Sequence, residues 1–578
     1  MSDVILTFGL VLALALPLGL WMHRVFSPER GALDRVFGPI ERGVFRALGV
    51  DPGAPMGWRR YTRALLVTHA GLAVFAFALL MAQGALPLNP DGIPGMSWDL
   101  ALHTVASFIT NTNQQHYSGQ AQLSYLAHLG AVVTLQVVTP AVGLAALVAI
   151  LRGIAPGAGA RRLDARGDVD LGNYHADVVR GVVRVFLPLA LVGAVVLTSQ
   201  GVPATFAGAV TVQPVDATAG MEAQVIPVGP VAPMVAIKQL GTNGGGWYGP
   251  NSAVPLENPT PVANLVEMVS ILLVPVACVV LCGLMTERRF GRMTFAVMGV
   301  MCAALVAGAL LAEQGSNAAF DGIVAAGPNW EGKEVRHGIE ASALWASLTT
   351  QTSNGSVNAM HDSLTPLGGI APLVGMWINA SFGGVGVGAI NFILFVLLTA
   401  FLSGLMVGRT PEVFRRKLGA REVRWVAVAV LVPPALVLAP SAITLAVDGL
   451  AGVSNPGPHG LTQVVYEFSS AAANNGSGFE GLADGTVWWN VSCAVVLVLA
   501  RFVPIIAPLA VAGLLAAKPA APAGAGSLSV SSPVFGVTTL AVIVIVQLLV
   551  FLPVLALGPV AEHRVSAPAV AASAAEVP

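Results

Sequence analysis

The chain has 578 residues, of which 55% are hydrophobic and only 10% are charged, and its formal net charge is −1. Polar residues at this frequency cannot cover the surface of a soluble protein of this length. The composition therefore excludes a soluble globular protein and predicts an integral membrane protein. The four cysteines and ten histidines show no disulfide or metal-ligand spacing, and we interpret them as core or loop residues.

Apolar runs of membrane-spanning length recur along the chain. A spanning helix needs about 20 predominantly apolar residues. The first run lacks a basic leader and a small-residue cleavage site, so we predict a retained helix and not a signal peptide. The fold class is therefore an all-α polytopic membrane protein with ten predicted spans, near 4–22, 63–84, 126–151, 178–199, 261–285, 293–313, 371–407, 423–447, 488–516 and 533–557.

Lysine and arginine concentrate in alternate loops between these spans. The clusters lie at 24–63, 152–166, 288–292 and 409–424, whereas the loop near 517–531 holds only Lys518. By the positive-inside rule the clustered loops are cytoplasmic. Both termini, and the four polar loops described next, are then predicted on the outer side of the membrane.

Four short apolar segments, 98–109, 231–241, 338–351 and 460–473, are too short to cross a bilayer. Each leads into a polar loop, and recurrence at one topological position predicts four helix, pore-loop, helix repeats around one pseudo-fourfold axis. The loops are loop 1 (Thr110-Asn111-Thr112-Asn113), loop 2 (Gly241-Thr242-Asn243-Gly244), loop 3 (Thr352-Ser353-Asn354-Gly355) and loop 4 (Ala473-Asn474-Asn475-Gly476).

The predicted organisation divides the chain into repeats with one extra helix at each end. The tail is rich in Ala, Val and Pro, a composition that predicts disorder. The segments are an N-terminal helix and loop (1–60), pore repeats 1 to 4 (61–152, 178–286, 292–408 and 423–516), a C-terminal helix (533–557) and the tail (558–578).

The residue types of the loops predict a cation filter built from backbone carbonyls. Glycine takes positive φ without a Cβ, asparagine tolerates left-handed backbone, and a carbonyl ring can replace the hydration shell of a monovalent cation. The loops contain no Asp or Glu, which disfavours a divalent ion and favours potassium. The predicted filter residues are Asn111, Thr112, Asn113, Thr242, Asn243, Gly244, Ser353, Asn354, Gly355, Asn474, Asn475 and Gly476.

The chain resembles, over nearly its whole length, the potassium-binding A subunits of bacterial Kdp potassium-transporting ATPases, and several stretches carry the resemblance. They are Trp98 to Phe108 with loop 1, Gly229-Pro230-Val231-Ala232 through Gly246, Glu257-Asn258-Pro259-Thr260, Met360-His361-Asp362-Ser363, Gly408-Arg409-Thr410-Pro411-Glu412 and Tyr466-Glu467-Phe468 with loop 4. The resemblance implies the fold of the potassium-transporter superfamily. It also implies a complex in the bacterial inner membrane with a P-type ATPase subunit and two small accessory membrane subunits, so that the outer side, with both termini, is periplasmic.

The resemblance implies a division of labour. Potassium, the transported substrate, would pass from the filter through an intersubunit tunnel to the ATPase subunit, which uses the ATP. This chain lacks an Asp-Lys-Thr-Gly-Thr phosphorylation motif, so we predict no catalytic site in it. We expect no nucleic-acid partner.

The resemblance also implies roles for residues outside the loops. The stretch with Gly383, Gly384, Gly386 and Gly388 is too flexible to stay helical without cost, so we predict a break in the span 371–407. By the resemblance this break would block flow below the filter, although close packing through small residues is an alternative. Arg501, a charge inside an apolar run, would oppose cation leak, unless it faces lipid or snorkels.

Gln115 resembles a position that tunes potassium affinity. The chain departs from the usual family pattern at Gln114, where an aromatic residue is common, and at Asn379, where an acidic one is common. The second departure leaves the attraction of potassium to the tunnel open.

Two other functions remain open from the sequence. A self-sufficient channel or symporter would use the same four loops but would conduct without a pump partner. A membrane scaffold would need no filter, so replacing the loop glycines would leave potassium handling intact.

Overall fold

The computed structural model describes residues 2–27, 34–155, 162–216, 220–320, 323, 326–408, 410–520 and 529–565. Within these ranges, ten helices are long and apolar enough to cross a membrane, which confirms the predicted number. They are Ser2–Phe26, Trp58–Ala85, Tyr125–Ile154, Tyr174–Ser199, Pro261–Met285, Arg288–Glu313, Val387–Met406, Ala420–Ala446, Val487–Ala516 and Pro533–Val565.

Side-chain caps define where several of these spans begin. The hydroxyl oxygens of Thr260, Thr486 and Ser532 each accept a hydrogen bond from the backbone N–H three residues later. Pro261 and Pro533 follow two of these caps, at the first helical position where a missing N–H is harmless. Local sequence therefore fixes the start of these helices.

Four shorter helices, pore helices 1 to 4, occupy the four short apolar segments predicted to precede the loops. They contain 12, 10, 14 and 16 residues. At 1.5 Å per residue the longest extends about 24 Å, less than the roughly 30 Å apolar core of a bilayer. Pore helices 1 to 4 are Trp98–Ile109, Val231–Leu240, Gly338–Gln351 and Pro458–Ala473.

The two spans of each repeat differ in burial. The second spans are 78%, 78%, 61% and 67% buried in repeat order, whereas the first spans are 22%, 33%, 33% and 22% buried. The terminal spans Ser2–Phe26 and Pro533–Val565 are 22% and 11% buried. The second spans and the pore helices thus form the centre, and the first and terminal spans form an outer layer with apolar exposed faces.

The predicted span 371–407 is interrupted, as its glycines indicated. A helix Ile370–Ile378 ends at Asn379, which has a left-handed φ of +41°, and the spanning helix restarts at Val387. Phe382, Gly383 and Gly386 have φ values of +66°, +64° and +74°, which a continuous right-handed helix cannot contain.

The predicted disordered tail requires a correction. The last helix continues past 557 to Val565, through a π-helical turn at Ala556–Val560. Gly558 lies close against Thr462, and Glu562 contacts His459 Nδ1 at 2.9 Å, so pore helix 4 holds this extension in place. Residues 566–578 lie outside the described part of the chain.

The remaining elements are short. Two antiparallel strand pairs join Val210–Val212 to Gln224–Ile226, with Thr211 opposite Val225, and Glu412–Val413 to Arg416–Lys417. The other helices are α-helices at Asp34–Ala47 and Gly119–Gln122, 3₁₀ turns at Gln83–Ala85, Asn251–Ala253 and Ala318–Phe320, and π-turns at His128–Val133 and Val182–Phe186, the last two within spans.

Candidate ion-binding site

The four loops share one backbone conformation. The first and third of the three predicted filter residues in each loop have positive φ. When the sign of φ alternates, successive peptide units point in different directions. Residues with positive φ cannot continue a right-handed helix, so the pattern is confined to short loops. The φ values are 66° and 59° for Asn111 and Asn113, 50° and 79° for Thr242 and Gly244, 50° and 86° for Ser353 and Gly355, and 52° and 107° for Asn474 and Gly476.

Each loop is also attached to its pore helix in the same way. The N–H of the middle residue donates to the carbonyl five residues earlier, at the end of the helix. The bonds are Thr112 to Ser107 at 3.0 Å, and Asn243 to Lys238, Asn354 to Thr349 and Asn475 to Ser470 at 2.9 Å each. The internal repeat is therefore a repeat of hydrogen bonding as well as of sequence.

The loops contact one another in a closed ring. A Cβ at Gly244 would lie 1.9 Å from the Asn354 carbonyl oxygen, and one at Gly355 would lie 2.0 Å from that of Asn475. One at Gly476 would lie 2.3 Å from the carbonyl oxygen of Thr112. Loop 2 thus abuts loop 3, loop 3 abuts loop 4, and loop 4 abuts loop 1.

Asparagine amides brace this ring. Asn111 Nδ2 donates to the Thr242 carbonyl at 3.0 Å, which joins loop 1 to loop 2 and completes the circle. Asn354 Nδ2 donates to the Lys238 carbonyl at 3.2 Å, and Asn475 Nδ2 donates to the Thr349 carbonyl at 2.9 Å. Each brace crosses from one repeat to another.

The middle residue of each loop carries a carbonyl that the protein does not satisfy. Thr112, Asn243, Asn354 and Asn475 are all 0% exposed. Among the described residues, no protein donor bonds to their backbone carbonyl oxygens. Buried carbonyls are nearly always paired, so these four require an ion or water.

Gln115 lies at the exit of loop 1. Its amide nitrogen donates to the Gly246 carbonyl at 3.0 Å, and its amide oxygen accepts from the Gly246 N–H at 2.8 Å. Gln114 instead bonds to Glu467 of pore helix 4. The two glutamines therefore join repeat 1 to repeats 2 and 4.

The broken-helix segment lies directly against the loops. The Val385 N–H donates to the Thr242 hydroxyl at 3.1 Å, and the Gly383 N–H donates to the Gln351 carbonyl at 3.0 Å. A Cβ at Gly386 would lie 2.2 Å from the Gly143 carbonyl oxygen, and one at Gly388 would lie 1.9 Å from that of Phe382. Glycines are therefore required by close backbone approach, beyond any need for flexibility.

Arg501 lies beside this segment. Its residue is 6% exposed, and a Cβ at Gly143 would lie 3.6 Å from its Nη2 and 2.4 Å from the Val385 carbonyl oxygen. The salt bridges found among the described residues do not include it. Arg501 thus faces protein and does not face lipid.

A buried lysine that was not among the predicted site residues supports loop 2. Lys238, at 0% exposure, forms an ion pair with Glu257 and donates to the Ser252 hydroxyl at 2.8 Å. It also donates to Asn251 Oδ1, and Asn251 Nδ2 donates to the Gly244 carbonyl at 2.6 Å. A lysine in an apolar segment shorter than a span was the available signal.

A cavity of about 960 Å³ opens on one side of the ring, with Asn113, Gly355 and Gly476 in its wall. We call it the outer cavity, after the side on which the loops are predicted. Acidic side chains also line it. Burial raises the pKa of Glu480 to about 7. Burial likewise raises the pKa of Asp484 to about 6, although the positive charge of His116 opposes the rise. The cavity thus becomes more negative as the pH rises through this range.

One histidine and one cysteine belong to a buried cluster with a glutamate. Ligand atoms of His116, Glu467 and Cys493 all lie within 4.8 Å of one another, and all three residues are buried. Burial acts to lower the pKa of His116, but Asp484, Cys493 and Glu467 together raise it well above its usual value. Residues far apart in sequence form this cluster, so spacing gave no sign of it.

A second cavity, of about 80 Å³, is lined by Asn379, Asn391 and Asn474 together with mostly apolar side chains. Asn379 Oδ1 accepts from the Ser353 hydroxyl at 2.7 Å, and its Nδ2 donates to the Ala473 carbonyl at 3.0 Å. Asn379 therefore bridges loops 3 and 4 with neutral hydrogen bonds.

Ten spans and four pore loops that close into one ring define a multi-pass membrane protein of the pore-loop class. The family profile described as potassium-transporting ATPase A subunit matches residues 5–564. The chain therefore belongs to the family of potassium-transporting ATPase A subunits.

Curated relatives match the chain over nearly its full length. A protein of Gloeobacter violaceus named potassium-transporting ATPase potassium-binding subunit is 47% identical over 570 residues, with 97% of each chain covered. One of the same name from Alicyclobacillus acidocaldarius is 44% identical over 572 residues, with 97% of this chain and 99% of that one covered. The crystal structure of the potassium transporter TrkH from Vibrio parahaemolyticus aligns with a TM-score of 0.47 and 14% identity, over 76% of this chain and 84% of that one.

Proposed function

We propose that this chain is the potassium-binding and potassium-translocating subunit of an ATP-driven, high-affinity potassium uptake pump. The observation that carries the proposal is the set of four buried carbonyls, at the middle residue of each loop, that lack a donor among the described residues. A desolvated potassium ion at the ring would satisfy them without any fixed negative charge. The family membership and the names of the relatives support potassium as the ion.

The arrangement of the described residues supports a potassium path that is open to the outer cavity and blocked towards the cytoplasm. Potassium enters through the acidic outer cavity and loses water at the ring. The segment with Gly383, Gly384, Gly386 and Gly388, together with the charge of Arg501, opposes straight passage to the cytoplasm. The ion then leaves sideways, past Asn379, through a tunnel shared with the ATPase subunit.

The pump requires other chains. A P-type ATPase subunit binds and hydrolyses ATP, and two small accessory membrane subunits complete the complex. The complex resides in the bacterial inner membrane. The basic loops face the cytoplasm, which leaves both termini of this chain on the periplasmic side.

Potassium-stimulated ATP hydrolysis by the purified complex tests the proposal. Gly244→Asp places a side chain and a charge against the Asn354 carbonyl, so we expect at least about tenfold weaker apparent potassium affinity and lost discrimination against sodium and rubidium. Gly485→Asp is the matched control, because Gly485 is exposed in an outer loop and has open space around it. An assembled Gly244→Asp complex with an unchanged potassium response would contradict the filter and favour a scaffold.

A self-sufficient channel or symporter is the second candidate, because one chain supplies all four loops of the ring. Rubidium flux into vesicles containing this chain alone distinguishes the two. A pump subunit conducts little without its partner, and Arg501→Gln raises that passive flux by removing the charge beside Val385. Rapid flux through the parent chain alone would favour the channel.

A further inference from the structure

Three potential metal ligands converge beside the outer cavity. They come from three different elements: His116 follows loop 1, Glu467 lies in pore helix 4, and Cys493 lies in the span Val487–Ala516. A nitrogen of His116, a carboxylate oxygen of Glu467 and the Cys493 sulfur all lie within 4.8 Å of one another. The side chains of His116 and Glu467 are 0% and 3% exposed.

The donor set selects the class of ion. Imidazole, thiolate and carboxylate are the ligands of Zn²⁺, whereas Mg²⁺ and Ca²⁺ prefer oxygen alone. His116 Nε2 lies 3.3 Å from Glu467 Oε1. Two ligands each about 2.0–2.2 Å from one tetrahedral zinc ion are roughly 3.4 Å apart, so this pair already has a suitable separation.

Partners outside the three ligands hold the histidine in a suitable orientation. The amide nitrogen of Asn490 donates to Asp99 at 2.9 Å, so its amide oxygen faces His116 Nδ1, at 2.8 Å. Nδ1 therefore carries a proton, and Nε2 faces Glu467. Histidines that ligate metals usually donate their other N–H in this way to a carbonyl or carboxylate.

The carboxylate is oriented as well. The Gln114 amide nitrogen bonds to Glu467 Oε1, and it also lies 3.3 Å from the Glu467 backbone carbonyl. The ring of His103 stacks on that of His116 with centroids 3.6 Å apart. A packed imidazole and an anchored carboxylate form a site whose ligands need little rearrangement.

Two of the three ligands border the outer cavity. His116, Glu467 and the neighbouring Asp484 line the outer cavity. Three protein ligands with a fourth position open to water is an arrangement that zinc accepts. His116 is also only three residues beyond Asn113 of loop 1, so an ion here would tie the exit of loop 1 to repeat 4.

We propose that His116, Glu467 and Cys493 form a binding site for a soft divalent cation of the zinc class, and that its occupancy restrains the outer mouth of the ring. Binding displaces the proton of the Cys493 thiol, and that of His116 Nε2 when it is protonated, and releases them to solvent. The binding itself is independent of the proposed function, whereas its effect on the potassium response rests on that function.

Zinc binding to the purified complex tests the site. Equilibrium dialysis with metal analysis should give one zinc per complex that Cys493→Ala weakens by at least about 100-fold. Cys302→Ala is the matched control, since Cys302 is equally buried but belongs to no such cluster of the described residues. Asn490→Ala should weaken binding by about 10- to 100-fold by releasing the histidine.

Cadmium gives an independent readout, because its bond to thiolate absorbs in the ultraviolet. The absorption should appear in the parent and in Cys302→Ala, and be absent from Cys493→Ala. Absence of the band from the parent, or equal zinc binding by both cysteine variants, would overturn the site and leave a hydrogen-bonded cluster only.

The effect on function is measured separately. With zinc bound, the apparent potassium affinity of the parent should change, and that of Cys493→Ala should not. Zinc binding at Cys493 without any change in the potassium response would retain the site but overturn its restraint of the ring.

Discussion

Loop 1 and the other three loops reach the same backbone conformation with different residues. The third position is glycine in loops 2 to 4, but it is Asn113 in loop 1, with φ of +59°. In loops 2 to 4 that position abuts a carbonyl of the next loop. Asn113 instead faces Gly245, where a Cβ would lie 2.7 Å from the Asn113 Cβ.

At the contact between loops 1 and 2, the residue without a Cβ is therefore Gly245, directly after loop 2, and not the third residue of loop 1. The strain of a non-glycine residue at positive φ is smallest for asparagine, and Asn113 Oδ1 also accepts from Gln136 Nε2 at 2.8 Å. The comparison teaches that each contact between loops needs one residue without a Cβ, but not always at the same position.

The largest effect on potassium affinity is expected for a side chain added at a loop glycine, where the neighbouring loop leaves no room for a Cβ. Gly355→Ala adds a Cβ against the Asn475 carbonyl at a φ of +86°, with about 1–2 kcal/mol of backbone strain and about 1–3 kcal/mol of overpacking. We expect the apparent potassium affinity in the ATPase assay to fall by at least about tenfold. Gly308→Ala, whose Cβ would meet no atom of the described residues within 4 Å, should behave as the parent. Equal behaviour of the two variants would contradict the close contact.

A swap tests the compensation between loops 1 and 2. Gly245→Ala should weaken the potassium response by roughly fivefold, because its Cβ overlaps that of Asn113. Adding Asn113→Gly should restore most of the loss, since it removes the overlapping atom. The double-mutant cycle in apparent potassium affinity measures the coupling. Purely additive effects would show that the two positions act independently.

The smallest expected effect is a pH dependence of potassium affinity, which would come from the outer cavity and not from the ring. The loops contain no ionisable side chain, whereas the pKa of Glu480 is raised to about 7 by burial. Glu480 is then neutral below pH 7 and negative above it, so potassium affinity should rise with pH. One charge across roughly 8 Å of water contributes about 0.5 kcal/mol, which is about twofold. Glu480→Gln should reduce the rise in potassium affinity between pH 6 and pH 8 and leave the part due to Asp484, whose pKa is about 6. An unchanged profile would assign the titration to another group.

Local patterns predicted the parts of the fold that depend on neighbouring residues. Apolar length gave the ten spans, and the repeated Asn and Gly gave the four loops. The break at Gly383 to Gly388 followed from helix propensity. The helical extension to Val565 did not, because it depends on contacts with Thr462 and His459, about 100 positions earlier.

Contacts between repeats were not predictable in the same way. His116 and Glu467 are separated by 351 positions, and nothing in either segment points to the other. Lys238 was overlooked because its partner Glu257 lies in a loop beyond the pore helix. The sequence shows the run Gly244-Gly245-Gly246, but the reason for Gly245 is its contact with Asn113 in another repeat, which the run itself does not indicate.

The closed ring also has a consequence for biosynthesis. The hydrogen bond that joins Asn474 to Thr112 connects residues 362 positions apart. Loop 1 is therefore synthesised long before loop 4, its last neighbour in the ring. Until then the loops present unpaired amides and carbonyls at membrane depth, which lipid cannot satisfy. The first three repeats must therefore remain hydrated, or be shielded by the insertion machinery, until repeat 4 arrives.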